Sequence, residues 1–174
     1  RNLATPSRSC VSKNSSPFSV NCAIEGPKNG PDCEACLTER ESRYGYSVDP
    51  INEDTIEHGC FGCGNGNPHG LRLRFRPLPD GGVWADFTPA REHEGYLGLT
   101  HGGILSTVAD EAMSWAVTTA GDLGVTARMS LTFRQPAQLG DALRVEAWTT
   151  NRRSRTIDTR AEIRSRVTGE LLTA

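Results

Sequence analysis

From Leu71 to Arg76 apolar and basic side chains alternate without a break, the two-residue period of a strand with one face buried. Pro77 to Gly82 reads as a turn, and Val83, Ala85 and Phe87 then alternate with Trp84, Asp86 and Thr88 as a second strand. The period changes after Thr100. In GILSTVADEAMSWAVTTAG, the residues Ile104, Leu105, Val108, Ala112, Trp115 and Ala116 recur at three- and four-residue steps, so one long helix with a single apolar stripe is predicted.

Alternation then returns three times. Met129, Leu131 and Phe133 form one set, ended by Pro136; Leu143, Val145 and Ala147 form the next; Ile157, Thr159, Ala161 and Ile163 form the last. Asn151 to Arg155 reads as a hairpin tip, Thr168-Gly169 as a turn, and Glu170 to Ala174 as the start of a further strand that stays incomplete. Two strands, one helix and three or four strands make an α+β layout, with the helix on one face of an antiparallel sheet.

Residues 1–59 have a different character, rich in Ser, Asn, Pro and Gly and without a sustained apolar period. They are expected to form a poorly structured arm with one short helix from Asp32 to Arg43. Residues 60–174 are expected to form the folded domain. The formal charge of −2 lacks the basic excess of a nucleic-acid-binding domain. No apolar run reaches the roughly 18 residues of a membrane span. A cytoplasmic protein with no nucleic-acid or membrane partner is the expectation. All six cysteines (Cys10, Cys22, Cys33, Cys36, Cys60 and Cys63) lie before the periodic region, whose core needs no disulfide, so reduced thiols are expected.

Candidate chemistry gathers where the chain enters the helix. Thr100-His101-Gly102-Gly103 places two residues without Cβ atoms at a helix N-terminus, where backbone N–H groups lack internal acceptors and the dipole is positive. A carbonyl oxygen that gains negative charge during acyl transfer is stabilised at such a point. A plain helix entry with a flexible turn is the other reading of these residues alone. Asp110 shifts the balance: it falls on the face opposite the apolar stripe, with Met113 and Val117 nearby, so that face is not an ordinary watery one. Eight positions separate Gly102 from Asp110, about 12 Å along a helix at 1.5 Å per residue. One scissile carbonyl cannot reach both within a chain. If both serve one substrate, two helices must run antiparallel across a two-fold axis, and a homodimer is required.

CFGCGNGNPHGLRLRF, THGGILSTVADEAMSWA and GVTARMSLTFRQP resemble the hot-dog-fold acyl-CoA thioesterases of the PaaI-like, phenylacetic-acid-degradation group, over residues 60–174. The most specific element is His-Gly-Gly with an acidic residue nine positions after the His, here His101 and Asp110. The resemblance implies an antiparallel sheet wrapped around one long central helix, and hydrolysis of an acyl-CoA thioester. It implies Asp110 as general base or nucleophile, the Gly102 amide as the group polarising the carbonyl, His101 as the residue shaping that loop, and Thr126 as an aid to the attacking water. Gly103 and Arg128 are the accompanying substrate-binding candidates. Some members carry an amide side chain six positions before the His. Gly95 stands there in this chain, and the role does not pass to the adjacent Glu94.

Arg128, Arg152, Arg153, Arg155, Arg160 and Arg164 offer guanidinium groups suited to the phosphates of CoA, or simply an ordinary solvated sheet face. The reaction needs no cofactor, CoA being part of the substrate, and the assembly expected is a homodimer or a tetramer. Cys33-x-x-Cys36 and Cys60-x-x-Cys63 together offer four thiolates of the kind that hold structural zinc, but their separation exceeds that of usual zinc ribbons and the second pair belongs to the CFGCG segment of the resemblance, so no metal is the expectation. Two rival functions accompany the thioesterase reading. One is an acyl-thioester hydratase or dehydratase, whose usual His–carboxylate pattern is not found here. The other is a non-catalytic acyl-CoA binder or zinc-stabilised interaction module.

Overall fold

The computed structural model describes residues 49–52 and 57–174. The expected arm and its short helix at Asp32 to Arg43 lie outside the described residues, as do Cys33 and Cys36. Five strands form one antiparallel sheet in sequence order: β1 (Arg76–Pro77), β2 (Val83–Phe87), β3 (Leu143–Arg152), β4 (Ile157–Ser165) and β5 (Leu171–Thr173). The one α-helix among the described residues, α1 (Gly102–Thr119), lies against the inner face. No helix among the described residues is long and apolar enough to cross a membrane.

Register explains why the alternation was so regular in β2, β3 and β4. Val83 faces Ala147, Ala85 faces Val145, and Phe87 faces Leu143; across the next ladder Val145 faces Ile163 and Ala147 faces Ala161. These side chains share the inner face and are buried. Leu105, Val108, Ala109, Ala112 and Ala116 of α1 pack against them. Three of those five are alanines, so the sheet can curve closely around the helix without a void. The expected stripe therefore holds at Leu105, Val108, Ala112 and Ala116, while Ile104 and Trp115 sit partly buried at its margins.

The outer face of the sheet carries the arginines. Trp84 points outward but is only 3% exposed, because the guanidinium of Arg144 lies 3.9 Å from its ring centre and that of Arg76 lies 5.0 Å away. Arg144 also pairs with Asp86 at 2.8 Å. Arg160 and Arg164 both bind Glu162, Arg152 binds Asp122, and Arg153 binds Asp158. Burial opposes the charge on Glu162, but Arg164 and Arg160 more than offset it and hold the carboxyl below its ordinary range. Much of the expected phosphate-binding cluster is therefore occupied by its own carboxylates.

Two predicted strands differ from expectation. Residues 71–75 keep the alternation, with Leu73 and Phe75 buried, yet only Arg76–Pro77 join the sheet. Their backbone partners are irregular: Leu71 N–H donates to the Phe61 carbonyl, Leu73 N–H to Gly62, and Phe75 N–H to the side chain of buried Asn52. Asn52 returns its amide to the Leu73 carbonyl at 2.9 Å, and Ile51 N–H donates to Phe75 at 2.8 Å. Residues 51–52 thus stand where a neighbouring strand would be. The predicted strand around Met129, Leu131 and Phe133 is likewise not a ladder strand. Among the described residues its backbone bonds only to β5 and the residue after it, Thr132 with Ala174 and Arg134 with Leu172. β5 has three residues, too few to template a full partner.

Candidate active site

His101 forms the N-cap of α1 in extended conformation, with φ −62° and ψ 132°. Its Nδ1 accepts the Gly103 N–H at 2.8 Å, while its own N–H donates to the His93 carbonyl. A Cβ on Gly95 would come within 2.9 Å of the His101 Cα, so the glycine that departs from the amide-bearing pattern is what lets this loop close against the cap. Glu94 is occupied nearby, accepting the Gly98 N–H at 2.7 Å, and takes no part in the cleft lining.

The consequence is a division of labour between two neighbouring amides. Gly103, a substrate-binding candidate, has its N–H engaged by His101. Gly102 N–H, the first of the helix, has no hydrogen-bond acceptor among the described residues, and a first-turn amide has none within its own helix. Gly102 also lines a cleft of about 330 Å³, together with Gly95, Tyr96, Thr100 and His101. Tyr96 and Leu97, 83% and 95% exposed, stand on the loop beside it.

Asp110 lies two turns further along, half-buried on the far side from the sheet. Thr126, on the chain that returns after the helix, donates its hydroxyl to Asp110 Oδ1 at 2.6 Å. Sixteen positions apart in sequence, the two side chains form one unit: a carboxylate with one oxygen fixed and the other open. The structure therefore unites Asp110 with Thr126 and His101 with Gly102, but keeps the two pairs at opposite ends of a helical segment of about 12 Å. Arg128 is exposed and belongs to neither pair.

A third cluster lies behind Asp110. Glu111 points back to the loop that holds Cys60 and Cys63, with Oε2 3.5 Å from Cys60 Sγ, while Trp115 Nε1 donates to Oε1 at 3.2 Å. Burial, reinforced by Glu111, pushes the Cys63 thiol up to about 12. Sequence reasoning missed Glu111. The available signal was Trp115 four residues on, the spacing at which two helix side chains touch.

Residues 97–171 match the family model described as the thioesterase superfamily. The fold is the hot-dog fold of the thioesterases. Human acyl-coenzyme A thioesterase 13 is 28% identical over 94 residues, 53% of this chain and 67% of the human protein. Among solved structures, a thioesterase superfamily protein superposes with a TM-score of 0.63 at 20% identity, covering 85% of this chain and 78% of that one. A structure described as a hypothetical thioesterase protein from Streptococcus pneumoniae with coenzyme A superposes with a TM-score of 0.54 at 23% identity, covering 58% of this chain and 78% of that one. Alanine variants of the Streptococcus pneumoniae thioesterase protein, similarly matched, replace an aspartate and a threonine that are sixteen positions apart. The hot-dog architecture implied by the sequence resemblance is thus the architecture found.

Proposed function

We propose that this chain hydrolyses an acyl-CoA thioester to the free acid and CoA, with residues 60–174 as the thioesterase domain and residues 51–52 as its brace. The observation that carries the reading is the Asp110–Thr126 pair, a carboxylate held by a hydroxyl on the exposed side of the central helix. Its sixteen-residue spacing equals that of the aspartate and threonine replaced in the Streptococcus pneumoniae protein. A CoA complex in that same fold supports CoA as the leaving group.

In the proposed step the Gly102 N–H receives the thioester oxygen, which becomes negative as water adds to the carbonyl carbon. Asp110, oriented by Thr126, takes the proton from that water. The C–S bond then breaks and the proton passes to the departing CoA sulfur, leaving the acid. Direct attack by Asp110 is the nucleophilic variant of the same geometry. Because Gly102 and Asp110 of one chain are about 12 Å apart, each site takes Gly102 from one protomer and Asp110 with Thr126 from its partner. Leu123, Val125, Met129 and Phe133 supply exposed apolar surface for that association: they are 91%, 94%, 38% and 52% exposed, along a segment with only one short ladder neighbour. Arg128, on the same segment, is available for a CoA phosphate. Free Cys60 and Cys63 and a CoA substrate fit action in the cytoplasm.

Thiol release from a panel of acyl-CoAs tests the activity; a protein that hydrates or merely binds them without releasing thiol overturns it. The shared site has its own test. Proline is tolerated at the first helical position and lacks the N–H, and His101 already has the extended conformation that a following proline demands. Gly102→Pro should therefore lose activity while keeping the helix. Co-refolding it in equal amounts with Asp110→Asn should restore about a quarter of wild-type turnover, since half the dimers are mixed and each has one intact site. No recovery, or full activity from a monomer in light scattering, sinks the shared site. Thr126→Val should lower kcat by roughly 10- to 100-fold, the worth of a hydrogen bond to a charged group, without changing the melting temperature. An unchanged kcat removes Thr126 from the mechanism.

A further inference from the structure

We infer that Cys60, Cys63 and Glu111 form a zinc-type metal site that staples the 58–70 loop to α1, with water completing the coordination. The two sulfurs and one carboxylate oxygen lie within 4.8 Å of one another. Tetrahedral zinc, with bonds of about 2.3 Å to sulfur and 2.0–2.2 Å to oxygen, sets neighbouring sulfur and oxygen about 3.6 Å apart. Cys60 Sγ and Glu111 Oε2 are separated by 3.5 Å. The donor set, two thiols and a carboxylate, is one that zinc accepts.

The ligands are held from outside as metal ligands are. Trp115 Nε1 fixes Oε1 of Glu111, so Oε2 faces the thiols. Gly64 N–H closes the Cys-x-x-Cys turn onto the Cys60 carbonyl at 2.9 Å. A Cβ on Gly64 would fall 2.5 Å from the His58 carbonyl oxygen and 2.6 Å from Cys60 backbone atoms, and one on Gly62 would fall 2.4 Å from Glu111 Oε2. Both glycines are therefore needed for the knuckle to close and for the carboxylate to lie over it. Leu71 and Leu73 tie the intervening Phe61 and Gly62 carbonyls to the segment leading into β1. The guanidinium of Arg74 is turned to the carbonyls of Cys63 and Leu73. Metal on Glu111 pins the helix one residue from Asp110, so the site positions the helix and takes no part in the reaction itself.

The full chain, reduced and stripped with a chelator, is titrated with zinc alone and with cobalt alone. One equivalent per chain, a thiolate-to-cobalt charge-transfer band and a higher melting temperature are expected. Cys33→Ser/Cys36→Ser should keep the band and the affinity. Glu111→Gln, with its fold checked by circular dichroism, should bind more than about tenfold more weakly, since even outer partners of a metal ligand are worth that much. Absence of the band in the unaltered chain overturns the site. So does its loss in the Cys33/Cys36 variant, which would instead indicate four cysteine ligands, and so does an affinity unchanged by Glu111→Gln.

Discussion

Asp110→Asn should lower the kcat of the proposed acyl-CoA hydrolysis by about 10²- to 10⁴-fold, the range contributed by a positioned general base, and should leave the fold unchanged. The asparagine is nearly isosteric and can still accept the Thr126 hydroxyl, so the geometry of the pair survives. What it cannot do is take a proton from water or attack the carbonyl. Stability should hardly move, because Asp110 is half-buried on the side of α1 away from the sheet and makes no contact in the apolar core. The measurement is steady-state thiol release beside a thermal melt. A variant with wild-type turnover removes Asp110 from the chemistry, and one that loses turnover only together with its melting transition shows a structural role instead. In the proposed general-base role the carboxylate acts on water and not on the bound acyl chain, so KM should change little.

The second large effect is on stability. Phe75→Ala should cost about 3–5 kcal/mol, as for other fully buried phenylalanines, out of a total of about 5–15 kcal/mol for a domain of this kind. Phe75 has no exposed surface, stacks on Trp115 with ring centres 6.1 Å apart, and anchors the segment that bonds Ile51 and Asn52. Its loss opens a cavity beneath a strand that has no regular ladder neighbour to hold it in place. A fall in melting temperature on the order of 10 °C or more is expected, with the midpoint in urea moving accordingly. Phe61→Ala is the control, being 43% exposed, and should cost far less. Equal costs for the two would show that Phe75 is not the pin of this edge.

The same segment shows where local pattern is sufficient and where it is not. Residues 71–75 announce which side chains go inside, because alternation depends only on the pleat of an extended chain. They do not announce their hydrogen-bond partners, which come from Asn52 and from the Cys60–Cys63 loop. Met129, Leu131 and Phe133 have the same alternation, yet among the described residues the backbone of their segment bonds only to Leu172 and Ala174 at the end of the chain. Ladder formation is a property of two segments, and one sequence window describes one of them.

The candidate site divides along the same line. His-Gly-Gly, the acidic residue nine positions on, and Thr126 at the end of the return loop are all visible as residue types at fixed spacing. The period of the helix alone separates Gly102 from Asp110 by about 12 Å, and the proposed sharing of one site between two copies rests on that distance. The hydrogen bond between Thr126 and Asp110 required the fold, because the loop between them can close in many ways. So did the choice between two adjacent glycines, since only the rotamer of His101 decides that Gly103 is capped and Gly102 left free. Glu111 was least legible of all. Its partners are Cys60 and Cys63, some fifty residues away, and no local period connects a loop thiol to a helical carboxylate. By itself, then, the sequence determined the faces, the helix and the spacing of the chemical groups. The tertiary structure decided which groups meet, because contacts between distant segments depend on how the whole sheet closes around its helix.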